Sequence, residues 1–112
     1  MIELTVLNYL KGVLTDVTVT TEIRQNMGDK FVYIEKTGGG SSDRILSSKF
    51  AIQSWAGSLY DAMVLNERVK EAMFDLPSVK EVTKCSLNSD YNFTDTATKH
   101  PRYQAVFDVV HY

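Results

Sequence analysis

Apolar positions near the start of the chain recur at almost helical spacing. Ile2, Val6, Tyr9, Leu10, Val13 and Leu14 fall close to a 3.6-residue repeat, while Glu3, Asn8 and Lys11 fall elsewhere. That spacing predicts an amphipathic helix over residues 2–14, closed between Gly12 and Asp16. From Val17 the period drops to two: Val17, Val19, Thr21 and Ile23 alternate with Thr18, Thr20 and Glu22, the pattern of a half-buried strand. Residues 24–29 are polar, contain Gly28 and predict a turn. Residues 31–36 predict a second strand, with Val32 and Ile34 on one face and Phe31 and Tyr33 on the other. The run Thr37-Gly38-Gly39-Gly40-Ser41-Ser42-Asp43 then breaks the alternation. Residues 45–55 resume it, with Leu46, Phe50 and Ile52 opposite Lys49, Ala51 and Gln53. Two strands around a glycine run predict a hairpin with a mobile tip.

Ser58-Leu59-Tyr60-Asp61 opens the longest periodic segment as a capping-box variant, with Asp61 where Glu or Gln is usual. Leu59, Ala62, Met63, Asn66, Val69, Ala72, Met73 and Leu76 keep one face for five turns, and Leu76-Pro77 ends it. Leu59, Met63, Val69 and Met73 are expected to face a sheet, with Leu46, Phe50 and Ile52 in the same core. Residues 79–87 predict a fourth strand. Residues 88–101 have no period and read as a long loop. Residues 103–112 predict a closing strand, Tyr103, Ala105, Phe107 and Val109 opposite Val106 and Val110. The order α-β-β-β-α-β-β, a three-stranded meander before the main helix and a hairpin after it, predicts an α+β fold. Its sheet is expected to be mostly antiparallel, with both helices on one face.

Composition narrows the function classes rather than the fold. The chain has 112 residues, a length suited to one domain spanning 1–112. Twelve Lys+Arg against 14 Asp+Glu give a formal charge of -2, which disfavours a general or sequence-specific nucleic-acid binder. One cysteine, Cys85, with only His100 and His111 as companions, supports neither an intrachain disulfide nor a zinc site and suits a reducing compartment. No apolar run approaches the roughly 20 residues of a membrane span. The first residues lack the basic region of a signal peptide, so a soluble protein is expected.

Candidate chemistry is sparse. Gly38, Gly39 and Gly40 lead into a strand rather than a helix, and no Gly-Lys-Ser/Thr follows, so a phosphate cradle is disfavoured. His100 and His111 have no partner motif and read as ordinary solvent-facing side chains. Cys85 reads as an inert strand residue. Asp90 and Asp95 lack the spacing of an EF-hand loop, and neither a cofactor nor a metal is expected. Residues 88–101 stand out instead, because a long aperiodic loop carrying Tyr91 and Phe93 suits a contact surface. Gly38, Gly39, Gly40, Asp90, Tyr91, Phe93 and Asp95 are therefore the candidate interface residues. Tyr91 and Phe93 would anchor it; Asp90 and Asp95 would set register and on-rate.

The stretches FVYIEKTGGG, FAIQSWAGSLYDAMVLNERVKEAM and SDYNFTDTATKHPRYQAVFDVVHY follow in this order behind an N-terminal helix and are spread along nearly the whole chain. Together they resemble small tail terminator (tail-completion, head–tail joining) proteins of long-tailed, noncontractile bacteriophages and prophages of Gram-positive bacteria. The resemblance implies a virion structural protein with no catalytic residues, made in the host cytoplasm. It further implies a homo-oligomeric ring, typically a hexamer, that caps the tail tube and offers its other face to the head connector. The alternative left by the residues alone is a small ligand-binding or regulatory α+β domain.

Overall fold

The computed structural model describes all residues, Met1–Tyr112. Helix α1 (Ile2–Val13) buries Ile2, Val6 and Leu10, with Glu3 in its first turn and Lys11 in its last, each favourable to the helix dipole. Strands β1 (Thr18–Thr20), β2 (Phe31–Ser42) and β3 (Ile45–Trp55) precede helix α2 (Leu59–Phe74) and a single 3-10 turn (Leu76–Ser78). Strands β4 (Val82–Asn92) and β5 (Arg102–His111) complete the chain. The sheet order is β1-β2-β3-β5-β4, and every pairing except β1 with β2 is antiparallel. The fold is α+β, with the elements in the order the sequence predicts.

One core joins the two helices to one face of the sheet. Val6, Leu10, Val32, Phe50, Ile52, Leu65, Val69, Met73, Phe107 and Val109 are all fully or almost fully buried within it. Removing these side chains from water supplies the fold's main driving force. Three side-chain contacts add alignment: the Tyr9 hydroxyl donates to the Ala72 carbonyl at 2.7 Å, Arg68 pairs with Asp16, and Lys70 pairs with Asp90 at 2.6 Å. The opposite sheet face carries no helix.

Several expectations are corrected in detail. The first three strands do not form a meander, because β1 runs parallel to β2 after residues 21–30 carry the chain back. Gly38, Gly39 and Gly40 do not form a hairpin tip. They lie within β2, paired with Lys49, Ser48 and Ser47, and the turn falls at Asp43 and Arg44. Both turn residues have positive φ, which gives a two-residue turn whose twist matches the strands. Regular pairing with β3 from Gly38 to Ser42 overrides the poor strand preference of glycine.

Residues 88–92 are likewise not loop: β4 continues to Asn92, so Asp90 and Tyr91 are strand residues. Bulges between Val82 and Lys84 and between Leu87 and Ser89 shift the side-chain alternation, which hides this strand from a period-two pattern. On α2 the buried stripe is Ala62, Leu65, Asn66, Val69, Ala72 and Met73. Val69 and Met73 face the sheet as expected, whereas Leu59 and Met63 are 41% and 44% exposed. Leu46 is also exposed, since it lies near the tip of the β2–β3 hairpin, beyond the helices. Val13 is exposed at the end of α1.

Candidate functional site

The seven candidate residues fall into three separate neighbourhoods. At one end of the sheet, on the helix-free face, Tyr91 and Phe93 meet edge to face with ring centroids 5.8 Å apart. Strand pairing puts Tyr91 opposite Gln104, and Gln104 opposite Gln53. A hydrogen-bond chain follows this row. The Trp55 indole N–H donates to Gln53 Oε1 at 2.9 Å, Gln53 Nε2 donates to Gln104 Oε1 at 3.1 Å, and Gln104 Nε2 donates to the Tyr91 hydroxyl. Both glutamines are buried and satisfied, so the row is fixed rather than adaptable.

The same end carries a stacked cluster. Phe31 and Trp55 lie 5.1 Å apart, nearly parallel, and His100 meets Trp55 edge-on at 4.7 Å. The Arg102 guanidinium sits 4.7 Å from both the Trp55 and Phe93 rings and donates to the Phe93 carbonyl. Cation–π contact and that hydrogen bond hold Phe93 while leaving it 38% exposed. Asp95 is occupied locally: its carboxylate accepts the Ala97 N–H and the Thr98 hydroxyl, both at 3.0 Å. These bonds, led by the Ala97 N–H, hold its pKa below the usual carboxylate value. Asp95 thus shapes the connection between β4 and β5.

Asp90 belongs to the second neighbourhood, on the helix side of the sheet. It accepts from Asn66 Nδ2 at 2.7 Å and from Lys70 Nζ at 2.6 Å, and Lys70 also meets Glu67. The Asp90 and Glu67 carboxylates raise the Lys70 pKa. Beside this network Tyr60, Met63, Val64 and Tyr103 line a shallow groove of about 210 Å³. Tyr60 is 72% exposed, so α2 presents apolar side chains on its outer surface as well as inward. Ser54 Oγ and Asn66 Oδ1 are buried without a hydrogen-bond partner, a cost of about 1–3 kcal/mol each. Both atoms lie on the inner side of this region, Ser54 on β3 and Asn66 on the buried stripe of α2.

Gly38, Gly39 and Gly40 lie at the far end of the sheet, toward the hairpin turn. They border a depression shared with Lys36, Ser48 and His111. His111, expected to face solvent, is 5% exposed. Its Nε2 lies 2.8 Å from Ser48 Oγ, and its Nδ1 lies 3.0 Å from the Tyr112 carbonyl. His100 is likewise packed, against Trp55, with Nε2 3.2 Å from the Asp29 carbonyl. The Ser48–His111 pair has the residue types of a nucleophile and base. No carboxylate hydrogen-bonds the imidazole, and both members are buried between β3 and β5. It therefore acts as a cross-strand tie. Burial, and then the nearby Asp108 carboxylate, push the Cys85 thiol up to about 11, which keeps it protonated and unreactive near neutrality.

Of the residues the sequence singles out, the structure brings Tyr91 and Phe93 together, while Asp90 and the glycines lie in other neighbourhoods. Sequence reasoning missed Gln53, Gln104, Arg102 and the Tyr60–Met63–Val64 surface. The three exposed residues on α2 carried a signal, since apolar residues there exceed what one buried stripe can absorb. No protein-family model matches this chain, and no curated protein does.

Proposed function

We propose that this protein is a non-enzymatic structural subunit of a long, noncontractile phage tail. Identical copies form a closed ring that caps the tail tube and meets the head connector through its other face. The observation that carries this reading is the pair of unlike contact surfaces left uncovered on one small subunit. One is the apolar groove of Tyr60, Met63, Val64 and Tyr103 on the helix side; the other is the braced Tyr91–Phe93 pair on the opposite sheet face. Besides its head-to-tail self-interface, a ring subunit must keep further surface for the tube and the connector, and these two unlike patches offer it. The sequence resemblance to tail terminator proteins supports the same assignment.

The test replaces Tyr91 and Phe93 together with Ser. Circular dichroism and melting check that the fold persists; both side chains lie outside the core cluster, and Tyr91→Ser removes only the Gln104 Nε2 donation to the Tyr91 hydroxyl from the subunit's side-chain hydrogen bonds. The double variant should then fail to complete tails or to bind the partner virion proteins. Normal assembly by a folded double variant would remove this surface from the interface.

A further inference from the structure

The sheet ends in two edges of different character. β4 pairs only with β5, so its outer side is free along Val82–Asn92. β2 is covered by β1 at Phe31, Val32 and Tyr33 alone, which leaves its outer side free from Ile34 to Ser42. We infer that these two edges pair between copies: β4 of one subunit adds to the free stretch of β2 of the next. This rests on the ring reading and specifies its self-interface.

Direction, height and irregularity all fit. β2, β3, β5 and β4 alternate in direction, so β2 and β4 run oppositely. Copies set side by side in the same orientation therefore bring the two edges together antiparallel, the more favourable ladder. The strand registers put Ile34 in one row with Ile52, Ala105 and Asp90, and Ser41 in one row with Leu46, His111 and Val82. The free part of β2 thus spans the height of β4 from Asp90 to Val82. The rows of Tyr91 and Asn92 are those in which β1 already occupies β2. Both edges are also interrupted beside one row, Lys36–Phe50–Phe107–Leu87. The β2 bulge between Lys36 and Gly38 and the β4 bulge between Leu87 and Ser89 flank it. Bulges ordinarily discourage indiscriminate strand addition, and two on either side of one shared row restrict it to a matching edge.

The glycines agree with this arrangement. A Cβ at Gly38 would meet nothing within 4 Å and one at Gly40 only Ser47 Oγ at 3.8 Å, and neither has positive φ. Nothing within the subunit requires glycine at these two positions, and the missing side chains leave both sheet faces open beside the free edge. Pairing along both edges would leave each subunit one donor edge and one acceptor edge, a head-to-tail interface that closes into a ring.

The experiment combines association with amide exchange. In the two-residue hairpin Ser42 and Ile45 flank the turn as a hydrogen-bonded pair, so the next residue, Ser41, directs its N–H outward. Ser41→Pro should leave the monomer's melting nearly unchanged and weaken self-association about tenfold; Ser41→Ala, which keeps the N–H, should associate as the wild type does. Exchange of wild-type amides in 34–42 and 82–90 should slow about tenfold or more on assembly, alternating along each strand. An oligomer whose amides in both segments exchange as in the monomer would overturn the edge pairing and leave the ring reading standing. Failure of the wild type to associate at any concentration would overturn both.

Discussion

Asp108 illustrates how single side chains set the behaviour of the helix-free face. Lys49 Nζ lies 2.8 Å from its Oδ1, and Asn88 Nδ2 donates to its Oδ2 at 3.0 Å. These bonds, Lys49 foremost, lower its pKa below the ordinary value of 3.8. A carboxyl group whose pKa falls on folding stabilises the native state above the unfolded pKa, and the stabilisation disappears as pH falls through the folded one. Both side chains of the ion pair are about two-fifths exposed, so water screens the interaction to about 0.2–1 kcal/mol. Asp108→Asn should be less stable than the wild type by that amount at neutral pH in denaturant titrations. The difference should close in acid below the carboxylate range; a constant difference at all pH values would remove the ion pair as its cause.

Residue-scale contacts were also the least legible from the sequence. Ser48 and His111, like Gln53 and Gln104, meet only because β3 and β5 adopt one register, and no local pattern encodes that register. His111 beside Val110 gave no hint of burial. Cys85, by contrast, needed only its place in a strand to be read as unreactive.

At the scale of elements, α2 shows where periodicity informs and where it misleads. Val69 and Met73 lie in the middle of the contact with the sheet, where any helical stripe must be buried, and both have no exposed surface. Near the helix start the sheet no longer lies beneath the whole stripe. Leu65 and Ala62 turn inward there, and Leu59 and Met63 are left at the margin. Met73→Ala should therefore cost about 2–5 kcal/mol in unfolding free energy. Met63→Ala should stay within about half a kcal/mol. Equal losses at the two positions in equilibrium denaturation would contradict this packing.

The strands show the converse limit. β3 and β5 kept their alternation and were readable along most of their length. The end of β4 was hidden because two bulges changed its phase, and the end of β2 because glycine reads as a breaker even where a partner strand dictates its conformation. The three-residue β1 pairs in parallel, a choice made by the connection and the sheet rather than by its own Val and Thr content.

For the whole molecule, one core on one sheet face leaves the other face, two edges and the outside of α2 available for contact. The subunit is elongated, 44 × 26 × 23 Å, because the β2–β3 hairpin reaches past the helices. Its order of elements followed from hydrophobic period and breaker residues. Its uncovered surfaces did not, since exposure depends on what the rest of the chain covers. Uncovered apolar and aromatic side chains, ordered by Arg102 and the glutamine row, suit a subunit whose remaining burial occurs in an assembly.

The closed ring of identical 12.7 kDa subunits proposed above has a direct consequence for mass in solution. Native mass spectrometry of the purified wild type across a concentration series reads that mass. A ring should give a concentration-dependent shift from the monomer to one closed species, the hexamer, with no ladder of larger forms, because a head-to-tail interface that closes leaves no free edge. A protein that stays monomeric at every concentration, or that extends into open-ended chains, would contradict it.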